Sequence, residues 1–334
     1  MSGSGKTGGK GVRIAGTGSY LPERVLTNSD LEKMVDTSDE WIRTRTGISA
    51  RHLARDEEAT SGMASAAALR ALESAGMAAD ELDLITVGTI TPDMFFPCTA
   101  CFVQDMIKAP NAFCFDLSAA CSGFLYGLET ARHLISGGSV RNALVIGAEK
   151  LSCVTDWEDR ATCVLFGDGA GAVVLRAEDN TRGIIASSMG SDGGLADLLK
   201  LPGGGSRNPV TEATMRKRMH YMKMTGNEVF KHAVRCMCEA GLNVLEKAGM
   251  TIEDIDWVIP HQANMRIIRA IANRLGGSLE KFYVNLDRVG NMSAASVPVA
   301  LDEAVRAGRI RAGQKILFIV FGGGFTWGAM VMEW

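Results

Sequence analysis

The chain has 334 residues, 46% of them apolar and 22% charged, with 38 glycines and a formal net charge of −3. This is enough apolar material for two domains or one large duplicated body, and the slight acidity argues against a nucleic-acid binder while leaving room for a local basic patch. No apolar run approaches the roughly 20 residues that cross a bilayer, and the opening MSGSGKTGGKG lacks the apolar core of a secretion signal, so a cytoplasmic protein without membrane insertion is expected.

Residues 1–11 read as a flexible tail. Its GSGKT looks like half of a phosphate-binding loop, but GxxxxGK[ST] requires a glycine five residues before Gly5 and a preceding strand, and the sequence given supplies neither. VRIAGTG follows as a strand, then a helix from Ser61 to Ala75, a strand in LDLITVGTI, a helix over Thr99 to Lys108 and a strand in AFCFDL. Such alternation predicts an α/β layered fold. The glycines of GTGSYL (16–21) and FGDGAGAVVL (166–175) do not complete GxGxxG with a following helix and a downstream acid, which argues against nucleotide binding.

The eight cysteines sit mostly in apolar segments of a chain that needs no covalent staples, so reduced thiols are expected. The Cys98-Thr-Ala-Cys101 and Cys236-Met-Cys238 spacings read as core packing rather than zinc or redox sites. Cys121 differs, because CFDLSAACSGF (114–124) surrounds it with Ala, Ser and Gly instead of the large side chains that bury a structural thiol. In the following GFLYGLETARHLI, Phe124, Leu125, Leu128 and Ala131 recur at helical spacing. The sulfur is therefore predicted at a helix N-terminus, where backbone N–H groups and the dipole favour the reactive thiolate.

LESAGMAADELDLI (72–85) aligns without gaps on LEKAGMTIEDIDWV (245–258) at an offset of 173, and the same offset pairs ALVIGAE (143–149) with ILFIVFG (316–322). A duplicated αβ unit is predicted, with halves 12–180 and 181–334 meeting in the polar LRAEDNTRG. Equivalent strand ends would then share one crevice, the usual place for chemistry in α/β sheets. Two candidates sit in the second half. His261, in WVIPHQAN, follows a buried-looking strand, and Asn291, in NLDRVGNMSAASVPVALDEAV, precedes a Ser/Ala-rich helix start that echoes the one around Cys121. Taken alone they read as a loop histidine and an N-cap. IVFGGGFTWGAM puts three glycines after a strand, suited to a turn that aims backbone N–H groups at a ligand.

DLSAACSGF, IPHQAN, GNMSAAS and FGGGFTWG, in that order and together with TSDEWIRTRTGI (37–48), resemble the thiolase-fold condensing enzymes, most closely the 3-oxoacyl-[acyl-carrier-protein] synthase III family. The similarity runs from about Val12 to Trp334. It implies a thiolase-like α/β fold of duplicated αβ halves in five layers, α-β-α-β-α, the first half carrying Cys121 and the second His261 and Asn291. It also implies an acyltransferase that initiates fatty-acid synthesis without a cofactor or metal, joining an acyl-CoA starter to malonyl-acyl carrier protein by decarboxylative condensation.

By the same resemblance Cys121 holds the acyl group, the N–H groups of Cys121 and Gly323 form the oxyanion hole, and His261 and Asn291 stabilise the enolate. Trp41, Arg45, Arg160 and Asn264 would bind coenzyme A, and Lys231, Arg266 and Arg274 would dock the acidic carrier protein. Phe96 would reach the acyl pocket across a homodimer interface. Without the family, Trp41 reads as surface packing and the arginines as solvated charges. Met292 stands where the family commonly has Thr, and Val289 where it commonly has an aromatic residue or His. Two other readings are a related enzyme of secondary metabolism with another acceptor and, in a different class, a cysteine hydrolase, since Cys, His and Asn also serve papain-like enzymes. A third is a non-catalytic CoA-binding scaffold.

Overall fold

The computed structural model describes residues 11–178 and 183–334. The expected tail, with its GSGKT, and the expected junction of the halves at 180/181 lie outside the described residues, except for Gly11, which opens the first strand instead of ending the tail.

One sheet contains β1 (Gly11–Tyr20), β2 (Leu84–Gly88), β3 (Phe113–Leu117), β4 (Asn142–Glu149) and β5 (Gly169–Glu178), in the spatial order β1-β5-β4-β2-β3. The other contains β6 (Gly183–Ser191), β7 (Trp257–Pro260), β8 (Lys315–Gly322) and β9 (Thr326–Glu333), in the order β6-β9-β8-β7. The β2 pairings with β3 and β4 and the β7–β8 pairing are parallel; the rest are antiparallel. Four strands of the first sheet therefore have counterparts in the second. The counterpart of β3 is reduced to a single parallel bridge between Val258 and Phe282.

The helices that cover these sheets are α1 (Asp39–Thr46), α2 (Thr60–Ala75), α3 (Thr99–Ile107), α4 (Gly123–Ser136), α5 (Gly226–Ala248), α6 (Met265–Leu275) and α7 (Ser296–Arg306). Leu84 and Trp257, Asn142 and Lys315, and Gly123 and Ser296 each open equivalent elements 173 residues apart. The offset in the sequence is thus a pseudo-twofold relation in space.

Layering follows from alternation. Along β8, Ile316, Phe318 and Val320 face the central layer that contains α4 and α7, whereas Leu317, Ile319 and Phe321 pack with α5 and α6. Along β4, Ala143 and Val145 face the centre, and Leu144 and Ile146 pack with α2 and α3. Each sheet is covered on both faces, so the period of two separates two apolar sets rather than apolar from polar. Five layers result, α-β-α-β-α. The glycines of GTGSYL belong to this packing. A Cβ on Gly16 would lie 2.4 Å from the Ala75 nitrogen and one on Gly18 2.3 Å from the Ala67 oxygen, so β1 touches the backbone of the alanine-lined helix α2.

Candidate active site

A cavity of about 780 Å³ opens beyond the carboxyl ends of the parallel strands, and Cys121, His261, Asn291 and the Gly322–Gly324 turn all line it. Cys121 sits in the turn Ala120–Ser122 that leads from β3 into α4. Glycines make the approach possible. A Cβ on Gly88 would lie 2.6 Å from the carbonyl carbon of Gly123, so the end of β2 and the start of α4 meet backbone to backbone. Ala120 takes a left-handed conformation (φ 46), and Ser293, 173 residues later at the entry to α7, takes the same one (φ 47). Such a conformation costs about 1–2 kcal/mol for a non-glycine residue. It recurs at both helix entries beside the cavity.

The electrostatics of Cys121 depart from the sequence expectation. Its position at a helix start is as predicted, but burial pushes the thiol up to about 12, offset in part by the Ser293 hydroxyl and raised further by Glu149. A helix N-terminus contributes only about 0.3–1 kcal/mol in an exposed setting, up to about 2 when partly buried. Cys121 keeps part of its surface open to the cavity, but the loss of water around its sulfur is the larger effect. The resting group is the thiol, and thiolate must form during reaction.

His261 follows β7, anchored by its N–H donating to the Ile319 carbonyl at 2.8 Å. The next residue, Gln262, braces the loop by donating to the carbonyls of Pro260 and Tyr283 and accepting from the Asn285 N–H. The imidazole is 3% exposed, and burial alone pushes it down to about 4, so it is neutral at pH 7. Nδ1 is buried without a partner among the described residues. Asn291 is pinned between strand-like neighbours, its N–H donating to the Leu165 carbonyl and its carbonyl accepting from Gly167. Its Oδ1 accepts from the Ser293 N–H at 2.9 Å, which fixes the amide orientation and leaves Nδ2 as the free end. Val289 and Met292, the two departures from the family pattern, are fully buried with Ala295 and Val299 behind it.

Two residues here escaped the sequence reading, Glu149 and Ser293. A charge closing the apolar strand ALVIGAE was the available signal for the first, and the register of Ser293 with Ala120 for the second.

Trp41 and Arg45, on α1, also line the cavity. The Trp41 ring has Arg160 at 5.2 Å and Arg45 at 5.8 Å from its centroid, both in cation–π range. Arg160 also donates to the Asp36 carbonyl. Asn264 lines the cavity with its groups engaged, Oδ1 accepting from the Arg266 N–H as the α6 cap and Nδ2 donating to the Arg45 carbonyl. Lys231 on α5 and Arg266 and Arg274 on α6 are exposed; Arg266 lies over Phe230, and Lys231 pairs with Glu228. Phe96 is 84% exposed and does not line the cavity of its own chain. Cys98 and Cys101 are free thiols 3.4 Å apart at the start of α3, while Cys236 and Cys238 are buried in α5. No helix among the described residues is long and apolar enough to cross a membrane, and no three His, Cys, Asp or Glu side chains group as metal ligands there.

Thiolase-like condensing enzymes are the class that this architecture defines: matched halves whose central helices start at one crevice, one of them from a cysteine. Residues 115–193 match the family described as 3-Oxoacyl-[acyl-carrier-protein (ACP)] synthase III, and residues 245–334 match its C-terminal part. The chain belongs to the beta-ketoacyl-[acyl-carrier-protein] synthase III family, and it is an acyltransferase of the condensing type. It is 55% identical over 323 residues, 97% of its length and 98% of the relative's, to the beta-ketoacyl-[acyl-carrier-protein] synthase III of Desulfitobacterium hafniense (strain DSM 10664 / DCB-2). The counterpart in Clostridioides difficile (strain 630) is 53% identical over 321 residues, covering 96% and 98%. The crystal structure of 3-oxoacyl-[acyl-carrier-protein] synthase III from Aquifex aeolicus VF5 superposes with a TM-score of 0.90 at 50% identity, covering 97% of this chain and 100% of that one.

Proposed function

We propose that Cys121, His261 and Asn291 divide the condensation into two half-reactions in this one cavity. In the first, the Cys121 sulfur attacks the thioester carbonyl of an acyl-CoA, the carbonyl oxygen receives hydrogen bonds from the Cys121 and Gly323 N–H groups, and the CoA thiolate leaves. In the second, malonyl-acyl carrier protein loses carbon dioxide. The resulting enolate oxygen is held by two neutral donors, His261 Nε2–H and Asn291 Nδ2–H. An orphaned lone pair is more tolerable than an orphaned N–H, so the partnerless Nδ1 carries the lone pair and Nε2 the proton. The enolate carbon then attacks the acyl carbonyl, and the Cys121 thiolate is expelled.

The single observation that carries this reading is the fixed orientation of Asn291. With Oδ1 committed to Ser293, its amide can only donate into the cavity it shares with the nucleophile and a neutral imidazole. Trp41, flanked by Arg45 and Arg160, suits the nucleotide end of coenzyme A, with Asn264 shaping that wall. Lys231, Arg266 and Arg274 form the basic patch for an acidic carrier protein. Residues 12–180 and 181–334 act as two halves, the first supplying the nucleophile and the second the enolate donors. The reaction needs no cofactor, and the protein works in the cytoplasm as a homodimer.

Intact-mass measurement after incubation with a panel of acyl-CoAs tests the first half-reaction and ranks the starters. The expected mass gain is one acyl group, absent in a folded Cys121→Ala variant. Formation of 3-oxoacyl product only with malonyl carrier protein separates a synthase from a hydrolase, which releases free acid without it. Acyl mass gained by Cys121→Ala would sink the assignment of the nucleophile.

A further inference from the structure

The reaction as written leaves one group beside the nucleophile unused. Glu149 ends β4 with 0% exposure, and its carboxylate accepts from Thr91 Oγ1 at 2.6 Å, Ile90 N at 3.1 Å, and Thr91 N and Thr89 Oγ1 at 3.2 Å. Among the described residues no cation pairs with it. The neighbouring Lys150 turns its ammonium to the carbonyls of Arg55, Asp56 and Glu58.

The pseudo-twofold relation explains where the carboxylate points. Glu149 is equivalent to Gly322; as the end of β8 abuts the Ala120–Ser122 turn, so the end of β4 abuts the turn Ser293–Ala295. Ser293 is 2% exposed, and its hydroxyl has no hydrogen bond of normal geometry among the described residues. Yet Ser293 lines the same cavity as Cys121, and its turn packs on both the Ala120–Ser122 turn and the end of β4, which sets the hydroxyl beside the Cys121 thiol and the Glu149 carboxylate, where it favours the anion of either. A buried, uncommitted hydroxyl thus stands between a thiol and a carboxylate.

We propose that Glu149 is the proton store of Cys121, reached through Ser293 Oγ. When the sulfur attacks the acyl thioester, the S–H bond breaks, its proton passes to Ser293 Oγ, and the Ser293 proton passes to a Glu149 oxygen. The S–C bond forms, and the CoA thiolate departs to take a proton from solvent. When the enolate carbon displaces the sulfur, the stored proton returns from Glu149 through Ser293. The relay is closed over one turnover. Burial assists it, because the carboxyl is pushed up to about 7, where it exchanges protons near neutral pH, while the thiol at about 12 needs an acceptor close by.

This inference rests on Cys121 as the nucleophile, so wild-type acylation by acetyl-CoA, read by intact mass after rapid quench, is measured beside Glu149→Gln, Glu149→Asp and Ser293→Ala. Ala120 already adopts the conformation required at 293, so Ser293→Ala is compatible with the fold. Glu149→Gln and Ser293→Ala are expected to slow acylation on the order of 10²-fold at pH 7, within the usual range for a lost acid–base group. Glu149→Asp should recover part of the rate. The wild-type rate should inflect near pH 7 and the Glu149→Gln rate should not; among the described residues the titratable groups facing Glu149 are the Cys121 and Cys153 thiols, both raised by burial and so titrating above it.

Glu149→Gln or Ser293→Ala acylating at or above the wild-type rate overturns the relay. A simultaneous shift of Cys121 alkylation by iodoacetamide to lower pH would reduce Glu149 to a repelling charge. If Glu149→Gln does not fold, Ser293→Ala decides alone. Wild-type protein that gains no acyl mass on Cys121 overturns the nucleophile itself, a different failure.

Discussion

Gly322 rests on the amide of Cys121: a Cβ built at 322 would lie 2.6 Å from the Cys121 nitrogen and 3.1 Å from that of Ser122. The glycine turn after β8 and the entry to α4 are therefore in backbone contact, and the proposed oxyanion hole would depend on that contact. Gly322→Ala must push them apart. The expected result is a loss of acylation of about 10²–10³-fold, the usual effect of one misplaced oxyanion donor, with a destabilisation of about 1–3 kcal/mol from overpacking. Single-turnover mass measurement and urea unfolding read the two effects, and an unchanged acylation rate would contradict the assigned hole.

Asn291→Ala separates the half-reactions. In the proposed mechanism the first step needs the thiol and its oxyanion hole and the second the donors of His261 and Asn291, so the variant should still gain acyl mass from acyl-CoA. Carbon dioxide release from malonyl carrier protein should fall by about 10²–10³-fold. Normal decarboxylation with failed acylation would assign Asn291 to the wrong step.

Stability should report the buried histidine. His261 has its folded pKa lowered from 6.5 to about 4, so in that window the unfolded chain binds a proton that the folded chain refuses. Its contribution is complete above pH 6.5 and is lost as pH falls through about 4, on the order of 3 kcal/mol in all. Glu149 runs the other way. Its folded pKa is raised from 4.5 to about 7, so its contribution is present below 4.5 and is lost as pH rises through about 7. In urea unfolding from pH 4.5 to 8, the stability of wild type relative to His261→Ala should rise with pH, and relative to Glu149→Gln it should fall. Flat differences would mean that neither group is held as described.

Trp41, with Arg160 and Arg45 against its ring, should matter for affinity and not for chemistry. Trp41→Ala is expected to raise KM for acyl-CoA about tenfold, the equivalent of about 1.4 kcal/mol of stacking. A short acyl thioester lacking the nucleotide should be used as well by the variant as by wild type. Equal losses with both substrates would point to a disturbed α1 instead.

The segment bearing Phe96 exposes Phe95 at 83% and Phe96 at 84%, with half-exposed Met94 beside them, three adjacent apolar side chains of the kind that a partner covers. A homodimer at micromolar concentration is expected by sedimentation velocity, and Phe96→Asp should shift it toward monomer. A monomeric wild type would remove both the dimer and the shared acyl pocket.

Features resting on short-range chemistry were legible in the chain. The helices expected at Ser61–Ala75 and Thr99–Lys108 are found within one residue, at Thr60–Ala75 and Thr99–Ile107, because apolar periodicity and terminal residues are local signals. The offset of 173 residues foretold the pairing of strands and of central helices, since a duplicated sequence buries its apolar faces in the same way twice. The helical spacing of Phe124, Leu125, Leu128 and Ala131 placed Cys121 at a helix entry.

What only the tertiary structure decided concerns water and partners. The helix start predicted a thiolate, but whether a sulfur keeps its proton depends on how many neighbours exclude water, and those around Cys121 come from both halves of the chain. The capping expected of Asn291 is found, its Oδ1 accepting from the Ser293 N–H at the helix entry, but only the fold puts the other end of that amide at the cavity. Glu149 belongs to no motif and Ser293 is one small residue of GNMSAAS with nothing local to mark it, and they meet only because the end of one strand abuts a helix entry from the other half. Sequence patterns fix which faces are apolar and where the chain turns. Burial, proton affinity and the free end of an amide arise from contacts between residues far apart in the chain, and those exist only once the two halves have closed on each other.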